Sequence, residues 1–256
     1  MKSIVNYIIE RIPEPPKSSI ILGSGLGDFI KVLDNKTYIP YSDIPNYPIS
    51  SVSGHKGEWV FGYINNKPII CANGRFHIYE GFTLDESSLP ISVINALDCK
   101  SVIITNASGC LNKKWDIGDI MLINGYLDYT FRKNTNDPII NYFGSDNKQK
   151  NNVKKLAKNI DILIREGIYA WTLGPNYETP SEIKNIISLG GNAVGMSTVP
   201  EIIKGIELGM DILGISCLTN YGAGMEKKVL SHEDVLHSSM IINKKLTQLL
   251  IELIRN

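Results

Sequence analysis

Arg75, His77 and Tyr79 stand at alternate positions in Gly74-Arg75-Phe76-His77-Ile78-Tyr79-Glu80-Gly81, directly after the apolar run 68–72. In an extended backbone, residues two apart point to the same side. A guanidinium, an imidazole and a phenol would therefore line one wall of a cleft at a strand end. Arg presents a planar fork matched to phosphate oxygens, and His adds a donor whose charge changes near neutral pH. A solvated loop with one Arg and one His accounts for this octapeptide equally well, so the rest of the chain has to decide.

Five other stretches carry suitable groups. Gly23-Ser24-Gly25-Leu26-Gly27 reads as a strand-to-helix turn, which offers backbone N–H groups and a helix N-terminus to an anion. A tight turn without a ligand is the competing reading. It is not a dinucleotide fingerprint, since Asp28 stands where Gly is needed, nor a P-loop, since no Gly-Lys-Ser/Thr follows. Asn106-Ala107-Ser108-Gly109 ends a β-branched run and could offer a backbone N–H beside small side chains. Gly195-Met196-Ser197-Thr198 places a hydroxyl at a helix N-cap, where Ser is also simply a good cap. Tyr177-Glu178 sets a ring beside a carboxylate, itself a common helix-dipole partner; Thr219-Asn220 ends an apolar run in an amide that both donates and accepts.

The elements that must position these groups alternate in type. Helical spacing marks 4–12, 84–97 (with Pro90 at a first turn or a kink), 152–165, 197–208 and the last helix, which Ser231 would cap; Thr179-Pro180-Ser181-Glu182, a capping box with Pro at N1, opens a further helix that Gly190-Gly191 ends. Strand-like runs cover 18–22, 58–64, 68–72, 101–105, 117–123, 167–173, 192–196 and 211–218, with a hairpin at Asn65-Asn66-Lys67. Residues 125–152 form a polar surface excursion too short for a domain. The pattern predicts one α/β domain over 1–256, a mixed central β-sheet flanked by helices. In such sheets ligands gather at the carboxyl ends of strands. An anion cradle, an Arg/His/Tyr wall, a carboxylate and an amide at strand ends suit phosphate plus a polar heterocycle.

Composition narrows the classes. Charges balance at 26 basic and 26 acidic residues, so net charge implies no nucleic-acid face. No apolar run reaches the roughly 18 residues of a membrane span. No signal-peptide pattern opens the chain. The four cysteines are widely spaced and the four histidines lack ligand spacing, so no metal is expected. Buried reduced thiols suit a reducing cytoplasm.

With these motifs assembled, the chain resembles the trimeric purine nucleoside phosphorylases from near residue 19 to near residue 240. The resemblance rests on 23–27, Gly54-His55-Lys56-Gly57, 74–81, 105–109, Gly174-Pro175-Asn176-Tyr177-Glu178-Thr179, the highly specific run Ala193-Val194-Gly195-Met196-Ser197-Thr198-Val199-Pro200-Glu201, and Leu218-Thr219-Asn220 with Ser231-His232-Glu233. It implies that Ser24, Arg75, His77, the Ala107 backbone and Ser197 hold phosphate, with His55 nearby. It places Tyr79 and Met196 at the ribose hydroxyls, His232 at the 5′-hydroxyl, Tyr177 against the base, and Glu178 and Asn220 on the purine edge. Asn220, Glu178 and His77 would carry catalysis. The implied reaction is reversible phosphorolysis of a purine nucleoside, with inorganic phosphate as co-substrate, no cofactor and no metal, in a homotrimer whose neighbouring subunit completes the site. Phe143 is the nearest match to the Phe that this neighbour lends. Methylthioadenosine phosphorylases share the chemistry but generally carry Asp at the position of Asn220, which favours 6-oxopurines here. A catalytically silent nucleoside-binding relative would have lost a phosphate ligand, and Ser24, Arg75, His77 and Ser197 are all in place. The glycines of 221–230 suggest a lid over the base.

Overall fold

Ile4, Val5 and Ile8 recur at helical spacing and are all buried on one side of α1 (Lys2–Ile9). The computed structural model describes residues 1–52, 55–132, 138–143, 147–225 and 232–256, with backbone alone for 147–148 and 232–240. After α1 come β1 (Ser18–Ile21), a 3-10 turn (Gly27–Val32), β2 (Asp34–Pro40), β3 (Glu58–Ile64) and β4 (Lys67–Asn73). Asn65 and Asn66 join β3 to β4 with both φ angles positive, the geometry of a two-residue hairpin turn. A second 3-10 turn (Ile78–Glu80) leads to α2 (Leu84–Ser87) and α3 (Leu89–Ala96), and then to β5 (Ser101–Cys110), β6 (Ile120–Asp128), β7 (Ile140–Tyr142) and α4 (Asn147–Asn159). The chain continues through β8 (Ile164–Trp171), α5 (Pro180–Ser188), β9 (Ala193–Gly195), α6 (Val199–Glu207), β10 (Asp211–Tyr221) and α7 (His232–Arg255).

The described chain divides into two compact units, one taking Met1–Thr105, Pro200–Leu213 and Ile251–Asn256, the other Asn106–Val199 and Gly214–Leu250. In the first, the strand order is β2-β3-β4-β1-β5; β4, β1 and the start of β5 run parallel, and the β2–β3–β4 meander is antiparallel. In the second, β6 and β8 and then β8 and β9 are parallel, while β9 pairs antiparallel with Gly109 and Cys110 of β5, and β7 and β10 antiparallel with β6. Leu111, Leu127, Ile168, Ala170, Ile183, Ile186 and Val194 pack as one cluster of its core. The architecture is α/β with a mixed sheet, as the alternation of elements predicts.

Several boundaries differ from the sequence reading. Residues 84–97 are two helices, because Pro90 is accommodated only in the first turn of a new one. The turn after β1 opens a six-residue 3-10 helix rather than an α-helix. Asn106 to Gly109 and Thr219-Asn220 lie within β5 and β10, not beyond their ends. The polar excursion shrinks, since β6 runs to Asp128 and α4 begins at Asn147. In α5 the expected Thr179/Glu182 capping box is present, with Pro180 in the first turn. Ser231 lies outside the described residues.

Candidate active site

In the first unit, parallel pairing sets Ile21 beside Ala72 on one side and Ile104 on the other, so β1, β4 and β5 bring their carboxyl ends together. Thr105 ties the three. Its hydroxyl donates to Ile21 O at 3.0 Å and accepts from Gly23 N at 3.1 Å, while its carbonyl accepts from Arg75 Nη1 at 2.9 Å. Arg75 is 1% exposed, and its Nε lies 2.9 Å from Glu201 Oε1, also buried. Thus Arg75 is a buried charge clamped by a carboxylate and a carbonyl, not a side chain standing on an open wall. Gly74 is required before it: φ is 151°, and a Cβ would come within 2.9 Å of Gly57 N. Phe76 points the other way, into the rings of Tyr41 and Tyr47, which pins the segment.

The alternation holds only as far as His77, because Ile78 to Glu80 turn into a 3-10 helix. Tyr79 nonetheless returns to stack on His77, ring centres 4.7 Å apart and planes 21° off parallel. His55 lies 5.3 Å from the His77 ring and 3.1 Å, Nε2 to Oγ, from Ser24. Ser24, His55, His77 and Tyr79 thus form a continuous row beside Arg75.

Glu80, which sequence reasoning passed over, organises that row. It accepts from His77 N and Nδ1 at 3.0 Å, from Ser50 Oγ at 2.8 Å and from Ser51 N at 2.8 Å. Burial opposes its charge, but these hydrogen bonds outweigh it and hold the carboxyl below its ordinary range. The signal was legible: a Glu three residues after His77 closes a capping box.

Burial lowers the His77 pKa, Glu80 pulls it back up, and the nearby Arg75 charge lowers it again. His55 is pushed down to about 4, first by burial, then by Arg75 and His77. Both rings are therefore neutral in the folded protein near pH 7, whereas in the unfolded chain they titrate near pH 6.5. Between about pH 4 and 6.5 the unfolded chain binds the His55 proton more tightly, so stability contributed by the neutral His55 ring is full above about pH 6.5 and is lost as pH falls toward 4; the lowered His77 pKa acts in the same direction. Thermal melts in phosphate-free buffer should show wild type losing more stability over that window than His55→Gln; parallel curves would reject this assignment.

In the second unit, β8 and β9 run parallel with Trp171 beside Gly195, which places Thr172 next to the 195–198 turn. Thr172 N donates to Gly195 O at 3.0 Å, and its hydroxyl donates to Glu178 Oε1 at 2.6 Å. Ser197 does not flank its helix: α6 begins at Val199, and Thr198 intervenes with φ of 76°. Met196 and Ala107 are partly buried. Asn220 accepts from Thr219 Oγ1 at 3.0 Å and donates through Nδ2 to Tyr221 O at 3.0 Å; an amide keeps a second N–H and a second lone pair for a ligand. At Gly109 a Cβ would press on Val194 at 3.1 Å and make ordinary contact with Asn220 Nδ2 at 3.6 Å.

Tyr177 is 82% exposed, whereas Phe143 is 8% exposed and lies against Tyr126 of its own chain. Phe143 therefore fills its own core. The backbone of His232 begins α7, and its side chain lies outside the described residues. Of the expected lid, Tyr221 belongs to β10, its hydroxyl donates to Trp115 O, and Gly222 N donates to Cys110 O; residues 226–231 lie outside the described residues. Among the described residues no cluster of His, Cys, Asp and Glu could hold a metal ion, and no helix is long and apolar enough to cross a membrane.

The model of the phosphorylase superfamily matches residues 19–255. Purine nucleoside phosphorylase 1 of Geobacillus stearothermophilus is 36% identical over 265 residues, covering 100% of this chain and 97% of the relative. The chain belongs to the purine nucleoside phosphorylase family. Among solved structures of the family, isoform 2 from Schistosoma mansoni, in complex with cytosine and ribose-1-phosphate, superposes with a TM-score of 0.86 at 33% identity, covering 99% of this chain and 94% of that one. A second purine nucleoside phosphorylase from Schistosoma mansoni, in complex with adenosine, gives a TM-score of 0.87 at 28% identity, covering 100% and 96%. The family fold thus accounts for the parallel strand ends that gather Thr105, Arg75 and Glu201, and for the β8–β9 pairing that sets Thr172 beside the 195–198 turn.

Proposed function

We propose that this chain is a purine nucleoside phosphorylase acting in purine salvage. It would cleave inosine- and guanosine-type ribo- or deoxyribonucleosides reversibly to the free base and (deoxy)ribose 1-phosphate. The observation that carries this reading is the row of Ser24, His55 and His77 beside the buried Arg75 at the carboxyl ends of three parallel strands. Inorganic phosphate is the co-substrate, and neither cofactor nor metal takes part.

Ser24, His55, Arg75 and His77 hold phosphate, together with the Ala107 N–H and Ser197. With Nδ1–H given to Glu80, a neutral His77 presents a lone pair at Nε2, so the phosphate dianion draws a proton onto that ring as it binds. Tyr79 and Met196 meet the ribose hydroxyls, His232 the 5′-hydroxyl, and Tyr177 the face of the base. Phosphate attacks C1′ as the glycosidic bond breaks through an oxocarbenium-like state. The bound anion stabilises the cationic sugar, while Asn220 and Glu178 hold the departing purine, which gains negative charge, more tightly than the intact nucleoside. The enzyme works as a cytoplasmic homotrimer whose neighbouring subunit completes the site.

The test is base release from inosine, guanosine, xanthosine, adenosine and methylthioadenosine with and without phosphate. Phosphate-dependent release from inosine or guanosine is the expected result. Dominant methylthioadenosine cleavage would move the chain to the sister activity, and binding without release would make it a silent binder.

Thr172 provides a narrower check on base recognition. Thr172→Val keeps the shape but removes the hydroxyl held by Glu178 Oε1. A typical net hydrogen bond is worth ~1 kcal/mol, so kcat/KM for inosine should drop roughly fivefold. The KM for phosphate should stay put, and Thr172→Ser should recover the loss. An unchanged kcat/KM would mean that Glu178 does not read the base.

A further inference from the structure

Four polar side chains of the second unit, Asn106, Ser108, Thr198 and Ser216, are almost wholly buried yet bonded to one another. Buried polar groups of this kind are costly unless satisfied, and here their bonds run in one direction. The Ser216 hydroxyl donates to Asn106 Oδ1 at 2.6 Å, so Ser108, 2.7 Å away, is the donor to Ser216. The Asn106 amide then donates from Nδ2 to Thr198 Oγ1 at 2.9 Å. Thr198 Oγ1 in turn lies 3.2 Å from Ser197 Oγ, where either hydroxyl could donate. With Thr198 as the donor, Ser197 accepts and turns its own proton outward, the polarity that an anion requires.

The backbone agrees with this arrangement. Thr198 is 1% exposed and sits at φ of 76°, a left-handed conformation that a β-branched residue adopts only when its surroundings impose it. Val199 N donates to Ser197 O across it at 2.8 Å, closing a three-residue turn of the rare positive-φ kind. The Asn106 amide grips the side chain at the centre of that turn. A Thr held there by a directed buried bond keeps its hydroxyl 3.2 Å from that of Ser197.

We propose that Asn106 and Thr198 are positioning residues that aim the Ser197 hydroxyl, as a donor, at bound phosphate. The inference rests on the reading above that Ser197 holds phosphate. Thr198→Val keeps the β-branched shape and deletes the relay, so the KM for phosphate should rise about tenfold, the order expected when a strained positioning contact is released. Thr198→Ser restores the hydroxyl and should stay within about threefold of wild type. Asn106→Ala should match Thr198→Val, and Ser216→Ala should move the same way by less. The KM for nucleoside, and kcat at saturating phosphate, should stay within about threefold in all four, which a loss of general packing would not permit.

Ser197→Ala separates the two levels of argument. If it leaves the KM for phosphate at the wild-type value, the reading of Ser197 falls and the positioning proposal falls with it. If it raises that KM while Thr198→Val does not, the proposal alone is overturned. Parallel losses in kcat and in both KM values would also overturn it, in favour of a purely structural network. Should Asn106→Ala fail to fold, Thr198→Val and Ser216→Ala decide the question.

Discussion

Arg75→Ala lowers phosphate-dependent base release roughly 10- to 150-fold, because a charge-assisted contact to phosphate is worth ~1.5–3 kcal/mol. The ion pair adds a second consequence. Glu201 lies 2.9 Å from Arg75 Nε and is equally buried, so the single variant leaves a carboxylate without its counter-charge. Removing one partner of a buried pair typically costs ~3–5 kcal/mol of stability. Turnover must therefore be read beside thermal melts. Arg75→Met combined with Glu201→Gln removes both charges at similar volume and should melt closer to wild type while remaining slow. Turnover that recovers together with stability would show that Arg75 acts only in folding. Base release that proceeds equally without phosphate would make the enzyme a hydrolase.

Asn220→Asp narrows the preference for 6-oxopurines. A 6-oxopurine exposes an acceptor at O6 and a donor at N1–H, which on the proposed reading Asn220 as donor and Glu178 as acceptor would meet. Adenine offers a donor at position 6 and an unprotonated N1, so Glu178 faces a lone pair. A mismatched buried polar contact costs ~1–3 kcal/mol, and two together disfavour adenosine turnover by about two to four orders of magnitude. Occupancy is a separate matter, since adenosine sits in a relative at 28% identity; the discrimination lies in the transition state. The aspartate accepts from the 6-amino group or a protonated N7. Inosine turnover should fall and adenosine turnover rise relative to wild type, without parity because Glu178 remains. A preference ratio within about twofold of wild type would remove Asn220 from base reading.

The sequence carries local information well. The Thr179/Glu182 capping box, the Asn65-Asn66 hairpin and the apolar strand runs depend on neighbours in the chain and appear where their residue types predict. The types and order of the site residues were legible for the same reason, since each motif is a contiguous stretch of the chain.

The partnerships were not legible, because they join residues far apart in the chain. Arg75 meets Glu201 across 126 positions, and Asn106 meets Thr198 across 92. Periodicity describes one element at a time and says nothing about which carboxylate lies opposite a given guanidinium. Extended spacing predicts Tyr79 on the wall with His77, but the chain turns at Ile78 and the stacking arises from that turn. Phe143 looks surface-borne because its segment is polar, yet it packs on Tyr126. By itself, then, the sequence determined the α/β class, the strand ends and the chemical inventory of the site. Only the tertiary structure decided which charges are paired, which hydroxyls are bonded and which imidazoles are harder to protonate, because burial and hydrogen bonding are set by packing between distant segments.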